Sequence, residues 1–162
     1  MATETEKKFL IKNENWRKLG TTQQYCQGYL SSKPECTVRV RITGDKSVLT
    51  VKGKTTGETR LEFEYEIPAG DASEMLQTLC HKPLIEKNRT KIPYKGFIWE
   101  VDEFFGENKG LILAEIELEH TGQTFQKPDW IGEEVTDDPR YYNSNLVTFP
   151  YSLWGKEEQN HR

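Results

Sequence analysis

Charged side chains at every second position of nearly every extended segment constrain this chain more than any other feature. Residues 4–11 read ETEKKFLI, with Glu4, Glu6 and Lys8 spaced by two. Successive side chains of a strand point to opposite faces, so these three share one. The alternation returns at 37–43 (TVRVRIT), 47–52 (SVLTVK), 60–67 (RLEFEYEI), 97–103 (FIWEVDE) and 111–119 (LILAEIELE), and more weakly at 84–90 (LIEKNRT). Residues 25–30 (YCQGYL) read as a short extra strand. Turn signals at Gly44-Asp45, at Gly53 with Gly57, and at 106–110 separate the segments. Strands this frequent, most joined by short turns, predict a mainly β (α+β) chain built on an antiparallel sheet, open or closed. Helices are few. Asp71 is placed to cap a helix over 72–80 with Glu74 at the capping-box position, and Asp138-Pro139 is placed to start one over 140–146. Short turns are expected near 14–19 and 122–125.

Sorting the strands by parity shows two kinds of charged face. Bases pair at Arg39/Arg41 and Lys87/Arg89, and Lys52 follows Thr50. Acids pair at Glu62/Glu64, Glu100/Asp102 and Glu115/Glu117, as they do at Glu4/Glu6. An ordinary sheet with one solvated face accounts for any single strand. It accounts less well for signs sorted by strand, and for so few neutral polar residues between the charges. If the sheet closes, the charged face becomes a lumen and the apolar face points outward, to be covered by the helices. Two carboxylates about 4 Å apart repel by about 4 kcal/mol at an effective dielectric near 20. Clustered acids therefore attract divalent cations, and hard oxygen ligands suit Mg²⁺ or Mn²⁺. Arg and Lys on the same wall attract an anion, and Arg grips phosphate oxygens in a fork. A polyphosphate carried with its metals satisfies both.

The bulk properties bound the alternatives. One hundred and sixty-two residues without internal repeat or linker read as one domain over 1–154, followed by a frayed polar tail at 155–162. A formal charge of −4 argues against a nucleic-acid binder. There is no apolar run of about 20 residues and no basic-then-apolar leader, so no membrane partner is expected and the location read is cytoplasmic. Cys26, Cys36 and Cys80 have no CxxC spacing and read as reduced, partly buried thiols. His81, His120 and His161 read as solvated or capping residues. The four tryptophans, Trp16, Trp99, Trp130 and Trp154, read as outer core and helix packing.

Glu4-x-Glu6-x-Lys8 resembles the ExExK signature of the CYTH, or triphosphate tunnel metalloenzyme, superfamily. Further motifs follow in the family's order: Gln27-Gly-Tyr-Leu30, Arg39-x-Arg41, Thr50-Val-Lys52, Glu62-x-Glu64, Glu86-Lys-x-Arg89, Glu100-x-Asp102 and Glu115-x-Glu117. Trp130-Ile-Gly-Glu-Glu-Val-Thr136 with Arg140-Tyr141 is similar to the bacterial single-domain branch. The resemblance, over about residues 2–153, implies an eight-stranded antiparallel barrel whose lumen binds a triphosphate with divalent cations. It implies phosphate contacts from Lys8, Arg39, Arg41, Lys52, Lys87 and Arg89. It implies metal or water-orienting roles for Glu4, Glu6, Glu115 and Glu117, with Glu62, Glu64 and Asp102 completing the shell or balancing the bases. Glu100 matches less firmly and is left out of that set. Tyr29 either orients or deprotonates water, with its pKa lowered by Lys87, or packs at a strand end. Arg140 either touches the terminal phosphate or pairs with Asp137, in a family whose last helix can close one tunnel mouth.

The reaction this implies is hydrolysis of a triphosphate with Mg²⁺ or Mn²⁺, two ions per site, using Glu4, Glu6, Tyr29 and Lys87. Inorganic tripolyphosphate is the expected substrate. Alternatives are a class IV adenylate cyclase, a thiamine triphosphatase, and a noncatalytic module that binds polyphosphate or nucleotide. A homodimer is left open.

Overall fold

The computed structural model describes residues 3–155; the tail expected to fray, 155–162, lies outside them except for Gly155. Nine strands form one antiparallel sheet: β1 (Thr3–Ile11), β2 (Thr21–Lys33), β3 (Cys36–Thr43), β4 (Lys46–Gly53), β5 (Thr59–Glu66), β6 (Ile85–Tyr94), β7 (Phe97–Phe104), β8 (Ile112–Leu118) and β9 (Ile131–Glu134). Their spatial order is β5-β4-β3-β2-β6-β7-β8-β1-β9, and β5 also pairs with β1. That pairing (Thr3 with Leu61, Glu4 with Arg60, Thr5 with Thr59) closes β1–β8 into a barrel. β9 continues along the same edge of β1 once β5 has diverged. The β3–β4 connection is a two-residue turn between Thr43 and Lys46, whose first residue, Gly44, has φ of +59°. A side-chain-bearing residue there would be strained.

Closure fixes what parity means. The outward residues of β1, β7 and β8 (Phe9, Trp99, Val101, Ala114, Ile116) build a buried cluster with Trp16, Trp130 and Ile131. What covers them is not helix: Trp16 comes from the 3₁₀ turn Asn15–Lys18, Trp130 from the residue before β9, and Phe125 from the loop between β8 and β9. Phe125 meets the rings of Phe9 and Trp99 at 6.2 and 5.8 Å. The outward face of β2–β4 does receive a helix, α1 (Ala69–Glu74), through Ala72, and the turn that follows it adds Leu76 and Cys80. The outward face of β5 is left bare, with Leu61, Phe63 and Tyr65 at 51, 42 and 59 % exposure.

The two predicted helices are shorter and differently bounded. α1 starts three residues early because Pro68 takes the cap position, and no side-chain cap forms at Asp71 or elsewhere. It widens into a π turn over Met75–Leu79, which ends with Cys80 donating its N–H to the Met75 carbonyl. The predicted helix 140–146 divides into the 3₁₀ turn Pro139–Tyr141 and α2 (Asn145–Thr148). Asp138 does cap the first piece, accepting from the Arg140 N–H.

One end of the barrel is filled rather than hollow. Leu10, Tyr29, Ile85, Phe104 and Leu113 share the lumen parity of their strands and pack with Tyr141, Leu146, Val147 and Trp154 of the C-terminal segment. Trp154 therefore belongs to this floor and not to the outer core; it stands 5.2 Å from the Tyr141 ring and 5.1 Å from that of Tyr151. No described helix is long and apolar enough to cross a membrane.

Candidate active site

Above the apolar floor the lumen encloses about 400 Å³. Every residue singled out from the sequence lines it except Asp102 and Arg140. Register explains the convergence. Lys8 faces Glu115 and Glu6 faces Glu117 across β1 and β8, Lys52 faces Glu62 across β4 and β5, and Arg89 faces Asp102 across β6 and β7. All of these sit at inward positions of closed strands, so each strand's charged row becomes one stave of a single wall.

Several charges neutralise one another. Lys52 Nζ donates to Glu4 Oε1 at 3.1 Å and lies 3.2 Å from Glu62 Oε2. Arg60 Nε lies 3.7 Å from Glu4 Oε1. Arg39 Nη2 donates to Thr50 Oγ1 at 3.1 Å, and that hydroxyl donates to Glu64 Oε2 at 2.9 Å. Asp102 is buried beneath the wall and receives Arg89 Nε at 2.7 Å, Arg89 Nη2 at 2.8 Å and Lys87 Nζ at 2.7 Å. Its geometry is that of an anchor for two bases. Glu62, Glu64 and Asp102 thus each lie beside a base: Glu62 beside Lys52, Glu64 at 3.6 Å from Arg39 Nη2, and Asp102 beside Lys87 and Arg89.

Other groups are left in environments hostile to their charge. Burial in the lumen, followed by Glu115 and Glu4, pushes Glu6 up to about 8. Glu117 is raised by burial and by Glu4 and Glu100, and Glu4 is raised by burial against the opposing pull of Lys52. Glu115 goes the other way: despite burial, Lys8 and Arg89 hold it well below the usual carboxylate range. Among the bases, burial with Arg39 and Arg89 nearby lowers Arg41 to about 9. Burial lowers Lys87 to about 7, assisted by Arg89 and Arg41 and opposed by Asp102. Among the described residues Arg41 has no carboxylate within ion-pair distance; it meets Gln27 Oε1 at 2.8 Å and lies over the Tyr25 ring at 4.9 Å. Arg39 Nε is buried with no hydrogen-bond partner at all.

The carboxylate side fits a divalent cation by donor chemistry: Glu4, Glu6 and Glu117 are oxygen donors on one wall, and of these Glu4 is shared with Lys52 and Arg60. No three described His, Cys, Asp or Glu residues converge closely enough to cage an ion alone. Mg²⁺ in phosphate sites is commonly held by one or two carboxylates, with phosphate oxygens and water completing the octahedron.

Two expectations shift. Tyr29 lines the lumen with Lys8 and Arg41 as its charged neighbours, whereas the ammonium of Lys87 is bonded to Asp102 and Asn143. Arg140 pairs with Asp138 at 2.6 Å rather than Asp137, and its guanidinium lies 5.3 Å over the Trp154 ring. That places it in the floor, outside the lumen lining. Glu100, read in its row but left out of the site set, lines the wall 3.4 Å from Arg89 Nη1, and Arg60 and Lys91, not singled out at all, line it too. Arg60 and Lys91 each continue a charged row already read, so parity alone could have found them. Asn143 was also missed; it arrives from an irregular segment that carries no periodic signal.

Comparisons with known proteins agree with this architecture. An inorganic triphosphatase of Acetivibrio thermocellus is 56% identical over 151 residues, spanning 93% of this chain and 97% of that protein. A second, from Nitrosomonas europaea, is 36% identical over 150 residues, spanning 90% of this chain and 97% of its own length. The crystal structure of an inorganic triphosphatase superposes with a TM-score of 0.65 at 32% identity, covering 91% of this chain and 95% of the other. Residues 2–143 match the CYTH domain, and the chain belongs to that family.

Proposed function

We propose that this protein is a divalent-metal-dependent hydrolase that cleaves inorganic tripolyphosphate to pyrophosphate and phosphate in the barrel lumen. The observation that carries the reading is a double electrostatic mismatch on one wall. Burial with Glu115 and Glu4 nearby raises Glu6 to about 8, while burial with neighbouring guanidinium groups lowers Arg41 to about 9 and Lys87, despite Asp102, to about 7. A triphosphate carried with divalent cations relieves both at once. The relatives named as inorganic triphosphatases support the same substrate.

Glu4, Glu6 and Glu117, with Glu115 beside them, would hold Mg²⁺ or Mn²⁺, two ions in the full site. When bound, such ions supply positive charge against phosphate oxygens and lower the pKa of nearby water. The chain's own contribution is placement. Lys8, Arg39, Arg41, Lys52, Lys87 and Arg89 bind the oxygens of the phosphate chain and stabilise charge on the departing pyrophosphate. Arg39 Nε gains the acceptor it lacks at rest. Tyr29, buried beside Lys8 and Arg41, is placed to hydrogen-bond an oxygen near the floor.

The test is phosphate release with Mg²⁺ or Mn²⁺, comparing tripolyphosphate, ATP and thiamine triphosphate and following phosphate, pyrophosphate and cyclic AMP. Tripolyphosphate should be the best substrate, and Glu117→Gln should abolish release while the protein stays folded. Full activity in that variant, or cyclic AMP as the main product, would sink the assignment.

A further inference from the structure

The lumen chemistry leaves two neutral amides without a role. Gln27 is 0 % exposed. Burying an amide is costly unless both of its ends are bonded, and here both are. Arg41 Nε donates to Gln27 Oε1 at 2.8 Å, and Gln27 Nε2 donates to Asn143 Oδ1 at 3.1 Å. The same Asn143 oxygen accepts from Lys87 Nζ at 2.9 Å. The orientations follow from chemistry: Arg and Lys can only donate, so both amide oxygens must face them. One oxygen of the C-terminal segment thus links β6 directly, and β3 through β2, to the floor that closes the barrel.

Amides are suited to this place in a way carboxylates are not. Asp102 fixes Arg89 and Lys87 but subtracts charge from the wall. Gln27 and Asn143 fix Arg41 and Lys87 and leave the positive charge whole. Removing Gln27 would leave Arg41 only its contact over the Tyr25 ring, and removing Asn143 would leave Lys87 hydrogen-bonded to Asp102 alone; either loss widens the rotamers open to the cation, at an entropic cost each time it is recaptured.

We propose that Gln27 and Asn143 are positioning residues that aim Arg41 and Lys87 at the phosphate chain without neutralising them, so that the segment closing the barrel also assembles its anion site. The inference rests on the triphosphate reading of the lumen.

The test pairs steady-state tripolyphosphate hydrolysis with calorimetric titration of metal-free tripolyphosphate into the protein. Gln27→Met, close in volume, should raise KM and weaken binding about tenfold with kcat within about threefold. In an Arg41→Met background the same change should add less than about twofold, since no cation remains for Gln27 to aim. Asn143→Leu, at a half-buried position, should show the same dependence on Lys87, judged against Lys87→Met; this arm decides the matter if Gln27→Met does not fold. Equal penalties with and without the cation, or unchanged KM in a folded variant, would overturn the positioning role. If the unaltered protein neither binds nor cleaves tripolyphosphate, the triphosphate reading falls, and this inference with it.

Discussion

Asp102→Asn separates two roles that the sequence could not. As a metal ligand, Asp102 would matter for cation affinity; as an anchor, for stability. It is 1 % exposed and receives three charged donors at 2.7 to 2.8 Å, two from Arg89 and one from Lys87. Removing one partner of a buried ion pair costs about 3–5 kcal/mol. Two facts favour the lower end. Asn keeps a carbonyl oxygen for one donor, and Lys87, already lowered to about 7, can release its proton instead of remaining an uncompensated charge. A loss of about 3 kcal/mol lies within the 5–15 kcal/mol typical of folded domains, so the variant should remain folded at room temperature. At about 2–4 °C per kcal/mol for a chain of this size, the melting temperature should fall by roughly 6–12 °C. Sulfate or metal-free tripolyphosphate should stabilise the variant more than the unaltered protein, because the carboxylate that Arg89 and Lys87 share is gone and Arg89 keeps only Glu115 and Glu100. Calorimetric Mn²⁺ affinity should stay within about threefold. A tenfold loss of Mn²⁺ affinity with an unchanged melting temperature would refute the anchor assignment and return Asp102 to the metal shell.

Two further outcomes follow from the same geometry. Glu6, raised from 4.5 to about 8, favours the fold through a retained proton; that contribution is complete below pH 4.5 and is lost as pH rises through 8. A divalent cation replaces the proton, so the melting-temperature gain from Mg²⁺ should grow between about pH 6 and about pH 8.5. Lys87, lowered from 10.5 to about 7, has the opposite window: its contribution is present above 10.5 and is lost as pH falls through 7. An oxyanion favours its protonated form, so the gain from sulfate, whose own charge is constant here, should shrink over the same pH range. Parallel trends for cation and anion would contradict the assignment. Separately, a Cβ at Gly28 would stand 2.8 Å from both Cys80 Cβ and Leu84 Cδ2. Gly28→Ala should therefore destabilise by about 1–3 kcal/mol, measured by denaturant unfolding, with little change in KM.

Period-two alternation sufficed to find the strands because each carries opposite chemistry on its two faces. It failed where that contrast is missing. β2 extends over Thr21–Lys33 although only residues 25–30 looked like a strand, because its ends are Thr, Gln and Ser on both faces. β9 is four residues long and was read only as a motif. The charged rows identified most of the lumen, since closure turns a shared parity into a shared space. Parity says nothing about depth, however. Asp102 and Glu100 lie on one row, yet one is sealed beneath the wall and the other faces the cavity. Depth depends on shear and on the floor, and the floor comes from residues 139–154, whose helices are too short to leave a periodic signature.

Charges of this density would ordinarily destabilise a small domain, and the architecture shows why they persist. The stabilising apolar area lies outside the barrel and beneath it, in the clusters around Trp99 and Trp154, and not within the lumen. The lumen can therefore carry groups chosen for ligands over stability. Some of the charges are paired within the wall, as at Asp102 with Arg89 and at Lys52 with Glu4. Others are left without an opposite charge: Glu6 is raised by burial and neighbouring carboxylates, Arg41 is lowered by burial and neighbouring guanidinium groups, and Arg39 Nε has no acceptor; under the proposed function these are the groups that meet the ligands. Under the proposed function, cation and oxyanion relieve those groups together. A ligand of one sign alone relieves half of the mismatch and deepens the other half, since each added charge repels the groups still waiting for its opposite. Metal and triphosphate should therefore bind cooperatively, each raising the other's affinity by the same factor, as reciprocity of coupled binding requires.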